Sequence, residues 1–303
     1  MSPGTTKIMV ISAGILLIFS IGFFVTSDLF RADTTLTHKV NETIPGTERT
    51  IHTNVSEVFF ENQSEQTALL KNLSEQNTQF SVPPEVARMH AEVELARVMY
   101  TSSRGLAGTN FTGVMLYPDP VIVYNNFGER PEYYKFYAGV RGFKNILLIV
   151  PASKFMGSCC GSGGLGSSDD TSDRIMLQKA QEFYDRNATG SDILSVKFLT
   201  SACWGQIIKL DVSSPITNDN STFYLDYGVL RDQKNCSSRV NTSAQEIPDH
   251  IAEWMMSDDY YRTIQKDALA AGINLTEPYS WKNREEMRNI LQSVEIPRGS
   301  YAK

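Results

Sequence analysis

Cysteine is scarce in this 303-residue chain and confined to its second half, where Cys159, Cys160, Cys203 and Cys236 are the only four. They form no C-x2-C pair with nearby histidine, which excludes the familiar zinc scaffolds. Neighbouring cysteines seldom bridge each other, because a disulfide needs separated Cα atoms. Cys159 and Cys160 are therefore expected to pair with Cys203 and Cys236, in either order, in an oxidising compartment. Basic clusters are missing as well. The 28 Lys and Arg are outnumbered by 34 Asp and Glu, for a net charge of -6. No Lys/Arg run reaches the length of a nucleic-acid footprint or a polybasic membrane patch, so nucleic acid is excluded as a partner. The histidines His38, His52, His90 and His250 are too scattered to suggest a triad or a metal spacing. Ser158 and Ser201 lack the G-x-S-x-G setting of a nucleophile elbow.

Long hydrophobic runs are absent except for one. Ile8 to Val25 is continuously apolar or small, preceded by Lys7 and followed by Asp28, Arg31 and Asp33. That length suits a membrane-spanning helix better than the shorter core of a cleavable signal peptide. It predicts a single-pass type II membrane protein: a cytoplasmic tail over 1–7, a signal-anchor over 8–26, a stem over 27–80 and a head over 81–303.

What the chain has in excess is the N-x-S/T sequon. Sequons start at Asn41, Asn54, Asn62, Asn72, Asn110, Asn187, Asn220, Asn235, Asn241 and Asn274, all after the apolar run. With Ser plus Thr at roughly one residue in six, chance would give only about three. The polypeptide beyond the anchor is thus expected to be extracellular or in the secretory-pathway lumen.

From Asp28 to about Asn54 the chain is Thr-rich and without apolar period, as in a stem. Val55, Phe59, Asn62, Gln66, Leu69, Leu73, Gln76 and Phe80 then follow a four-three spacing. Three of these eight are polar, and a glycan at Asn62 would block a packed seam. A solvated stalk is therefore favoured over a coiled coil, although a homo-oligomer through the stem is allowed.

The head reads as α/β or mixed α+β. Ser81-Val-Pro-Pro opens a helix whose Val86, Met89, Val93, Ala96 and Tyr100 share one face. Phe111–Tyr117 and Val121–Tyr124 are predicted strands, and Pro131–Ala138 a short aromatic helix. Asn145–Val150 is predicted as a strand buried on both faces, followed by a helix over Ser172–Arg186 and a strand over Asp192–Leu199, as in a βαβ unit. Ile207–Val212 and Phe223–Leu230 complete the predicted strands, and helical segments follow from Ile247, one of them beginning at Asp258-Asp259.

Two features carry candidate chemistry. Gly161, Gly163 and Gly166 match G-x-G-x-x-G, whose glycines let backbone N–H groups approach a pyrophosphate, but ten residues separate the motif from its strand. Asp169 and Asp170, with Asp173, suit caps of the following helix. In the alternative reading Asp169 and Asp170 hold a divalent metal against a sugar nucleotide. The leading expectation is a glycoprotein whose head is a binding module for a protein or glycan partner, without a cofactor. The alternative is a sugar-nucleotide-dependent transferase, since the anchor, stem and head layout resembles Golgi glycosyltransferases as architecture and through no motif.

Overall fold

The computed structural model describes residues 51–74, 81–101, 112–125, 130–140, 143–156, 161–163, 169–201, 205–214, 216–217, 219–232 and 247–295. The apolar segment, all four cysteines, Gly166 and the sequons Asn41, Asn110, Asn235 and Asn241 lie outside them. Among the described residues, no helix is long and apolar enough to cross a membrane.

Two helices come first, α1 (Val55–Ser74) and α2 (Pro84–Thr101). Strands β1 (Met115–Leu116), β2 (Val121–Tyr124), β3 (Pro131–Val140), β4 (Phe143–Pro151) and β5 (Gly161–Gly163) follow, then helix α3 (Asp169–Asn187). Next come β6 (Asp192–Ser201), β7 (Gly205–Ser213), β8 (Asn220–Asp226) and β9 (Val229–Leu230), and last α4 (Ile247–Ala270) and α5 (Arg284–Ser293). The strands form one sheet in the order β5-β4-β3-β2-β6-β7-β8-β9, with β1 paired to β3. All pairs are antiparallel except β2 and β6, which meet in parallel at Val123↔Phe198 and Tyr124↔Leu199. Each half is thus a helix followed by a three-strand meander, α2-β2-β3-β4 and α3-β6-β7-β8, with the two first strands side by side at the centre.

Apolar residues cover both faces of this sheet. On one face α2, α4 and α5 pack over Ile122, Tyr134, Phe136, Leu148 and Leu199. On the other, α1 and α3 pack over Val123, Val196, Phe198, Ile208 and Leu210. Burial on both faces explains the unbroken Ile-Leu-Leu-Ile-Val run of β4.

Several expectations change. Pro131–Ala138 is strand β3 rather than a helix. Its period is two, with Tyr134, Phe136 and Ala138 inside one core, and Pro131 is tolerated as the first residue of the strand. The predicted strand over Phe223–Leu230 is broken at Tyr227-Gly228, where φ is 47° and 79°. Both central residues have positive φ, as a two-residue hairpin turn requires. A Cβ on Gly228 would sit 2.9 Å from the Lys179 carbonyl oxygen, so this hairpin presses against α3. Asp258-Asp259 does not start a helix but lies within α4. Strands β4 and β6 run the same way, yet β3 and β2 separate them, so the expected βαβ unit is not an adjacent pair.

The compact unit spans Thr50–Lys303, which moves α1 from the expected stalk into the body. Val55, Val58 and Phe59 are buried in the second core. One polar member of the supposed seam bonds the sheet: Val196 N–H donates to Asn62 Oδ1 at 2.9 Å.

Candidate functional site

The parallel strands β2, β4 and β6 end on one side of the sheet, where α3 begins. Their carboxyl ends at a reversal of strand order are where α/β sheets offer a crevice. Here a cavity of about 260 Å³ opens between α3, β3 and β4. Alternation along β3 sends Lys135 and Tyr137 to this face while Tyr134 and Phe136 enter the opposite core.

Lys135 is the centre of the site. Its Nζ lies 2.7 and 2.9 Å from Asp173 Oδ1 and Oδ2 and donates to Gln206 Oε1 at 3.1 Å. Tyr137 OH donates to Asp173 Oδ2 at 2.5 Å, and Gln206 Nε2 donates to Asp173 Oδ1 at 2.8 Å. The Lys135 and Asp173 side chains are only 6% and 9% exposed, so the pair is shielded from water. Each carboxylate oxygen receives two donors, which leaves Asp173 saturated and unsuited to act as a base. Asp173, expected to cap α3, is its fifth residue and instead ties the start of that helix to β3 and β7.

The rest of the cavity is uncharged. Leu147, Ile149 and Met176 form its apolar wall, and Tyr133, Ser172 and Tyr227 bring hydroxyls. Ser172 Oγ and Tyr227 OH are 2.5 Å apart, and Tyr227, 46% exposed at the hairpin turn, stands at the rim. Burial raises the Tyr133 hydroxyl above the ordinary tyrosine range, and the charges of Asp173 and Glu132 push it the same way. It stays protonated and able to donate.

The glycine motif is not wrapped between strand and helix. Gly161 and Gly163 belong to β5 and pair with Ile149 and Leu147 of β4. Asp169 and Asp170 are the first two residues of α3; their side chains lie outside the description. Among the described residues, no group of three His, Cys, Asp or Glu could hold a metal ion.

Sequence reading passed over Lys135 and Gln206 altogether, and took Tyr137 only as one aromatic of the expected helix. The one available signal was a lysine inside an aromatic strand, since a buried lysine needs a carboxylate.

Histidines do pair in space, away from the cavity. Buried His90 meets Asp258 Oδ1 at 2.8 Å and stacks on Tyr261 with ring centres 4.4 Å apart. Arg262 Nε donates to the other Asp258 oxygen at 2.8 Å. Burial opposes the Asp258 charge, but the hydrogen bonds from His90 and Arg262 outweigh it and hold the carboxyl below its ordinary range. This is a clamp between α2 and α4. His250 Nδ1 donates to the Phe155 carbonyl at 2.7 Å.

Four of the described sequons map to the end of the sheet opposite the cavity, while Asn62 and Asn72 lie along α1. Asn220 opens β8 and aligns through Ser213 with Asp192, the first residue of β6. Asn187 ends α3 just before Asp192. Asn54 follows His52, whose N–H donates to Asp192 Oδ1 and whose carbonyl accepts from Ile193 N–H. Asn274 lies in the turn leading to Tyr279, which bonds Val114 next to β1. All four are exposed. Compared with known proteins, the chain matches no family model, no curated protein and no solved structure.

Proposed function

We propose that this chain is a single-pass type II membrane glycoprotein whose extracellular or lumenal head is a binding module, working through the cavity-bearing end of its sheet. The observation that carries this reading is the segregation just described: Asn54, Asn187, Asn220 and Asn274 sit at one end, and the cavity opens at the other. Glycans at the first end would leave the second accessible to a protein or glycan partner. A saturated Lys135–Asp173 pair suits recognition better than proton transfer.

The alternative, a secretory-pathway transferase using a sugar nucleotide and a divalent metal, has less support. Among the described residues, the cavity of about 260 Å³ lies below the range of roughly 300–1,000 Å³ typical of drug-sized ligands and does not by itself hold a donor nucleotide with its acceptor.

Glycopeptide mapping of the full-length chain from a secretory host tests the address, and surface labelling of intact cells tests the topology. A glycosylated chain that labels from outside supports the reading. An unglycosylated chain with its carboxyl-terminal part in the cytosol overturns it. Binding of the detergent-solubilised chain to cell surfaces, weakened by Tyr227→Ala at the cavity rim, is the expected functional result.

A further inference from the structure

We infer that the cavity beside Lys135 takes one uncharged, hydroxylated ring the size of a monosaccharide, either as a free sugar or as the terminal residue of a glycan. This rests on the binding-module reading and names the ligand class of its site.

Charge is the first discriminator. The three ammonium protons of Lys135 are directed at both Asp173 oxygens and Gln206 Oε1, and Asp173 has no lone pair to spare. An ionic ligand would have to break a closed, shielded pair, and an unpartnered buried charge is strongly unfavourable. A neutral ligand leaves it whole.

Hydroxyls are the second. Ser172 and Tyr227 have two O–H donors and four lone pairs between them, and their mutual contact uses one of each. Among the described residues, the Tyr133 hydroxyl has no protein hydrogen-bond partner. The cavity therefore presents donors and acceptors in the mixed form that sugar hydroxyls match. Opposite them, Leu147, Ile149 and Met176 offer an apolar wall for the C–H face of a ring. Volume is the third, since about 260 Å³ holds one ring and little more.

The test uses the detergent-solubilised full-length chain and saturation-transfer NMR. The probes are glucose, galactose, mannose and N-acetylglucosamine, with anionic glucuronate and cationic glucosamine as charged controls. At least one neutral sugar is expected to bind, with an affinity on the order of 1 mM. Tyr133→Phe and Ser172→Ala are each expected to weaken it about three- to tenfold, the equivalent of one lost hydrogen bond, at unchanged Tm. Methyl glycosides separate the sources: retained binding points to a glycan terminus, and lost binding to the free sugar. The inference fails if no neutral sugar binds, if neither substitution weakens binding, or if a charged control binds more tightly. Cell-surface binding that persists without sugar binding would overturn the sugar class and leave the binding-module reading standing.

Discussion

Gln63 replaces a strand for Ile122. The Ile122 N–H donates to Gln63 Oε1 at 2.7 Å, and Gln63 Nε2 donates back to the Ile122 carbonyl at 3.3 Å, so one side-chain amide satisfies both backbone groups of a central residue. The parallel pairing of β2 and β6 begins only at Val123↔Phe198. Below that level the strands diverge, and Asn62 and Gln63 of α1 occupy the wedge, one bonded to each strand. Buried backbone groups must be paired, so the opening is possible because α1 fills it. Gln63→Leu keeps the size and removes both partners. Each orphaned group costs about 1–3 kcal/mol, so urea unfolding should show a loss of at least about 2 kcal/mol. A loss below about 1 kcal/mol would mean that β2 and β6 close without the amide.

Asn62 is a sequon with a different fate from its neighbours. Its Oδ1 is engaged by Val196 N–H and its side chain is half-buried against β6, whereas Asn54, Asn187, Asn220 and Asn274 are exposed. A glycan on Asn62 Nδ2 would have to lie between α1 and the sheet. Glycopeptide mapping is expected to find the four exposed sites occupied and Asn62 bare. Stoichiometric glycan at Asn62 in folded protein would contradict the packing of α1.

Much of the fold was legible where one period dominated. The apolar run of β4, the helix after Ser81-Val-Pro-Pro and the strand at Val121–Tyr124 all appear within a few residues of their expected limits. The failures share a cause, since each residue involved answers to a distant partner. Aromatic Pro131–Ala138 has no helical stripe because both its faces are covered, and only the neighbouring strands reveal that. Asn62 looks like a flaw in a stalk until the gap between β2 and β6 is known. The site was less legible still. Asp173 could be read as a cap, but its partners Lys135 and Gln206 stand 38 residues before and 33 residues after it.

The Lys135–Asp173 pair should behave as a unit. Asp173→Ala leaves a shielded ammonium without its counter-ion, which typically costs about 3–5 kcal/mol. Lys135→Met together with Asp173→Leu removes both charges and should recover most of that loss, with Gln206 still short of an acceptor. A double-mutant cycle by chemical denaturation measures the coupling. Losses that add to within about 0.5 kcal/mol would show that the two side chains are not a closed pair.

Glu92 makes stability depend on pH in the direction opposite to an ordinary surface ion pair. It is buried on α2, and desolvation raises its pKa above the ordinary 4.5, although Arg88, whose Nε donates to it at 2.9 Å, pulls the other way through its charge and hydrogen bond. The folded chain therefore holds this proton more tightly than the unfolded chain. The stabilisation it brings is complete below the ordinary carboxylate range and is lost as pH rises through the raised folded value. Near neutral pH the wild type carries a desolvated charge that Glu92→Gln removes, while the glutamine oxygen can still accept from Arg88. The variant should melt at a higher temperature near neutral pH, and its advantage should shrink as pH falls toward the ordinary 4.5. Thermal scans across that interval check the sign. An advantage independent of pH would implicate packing, and a loss near neutral pH would mean that the Arg88 contact outweighs desolvation.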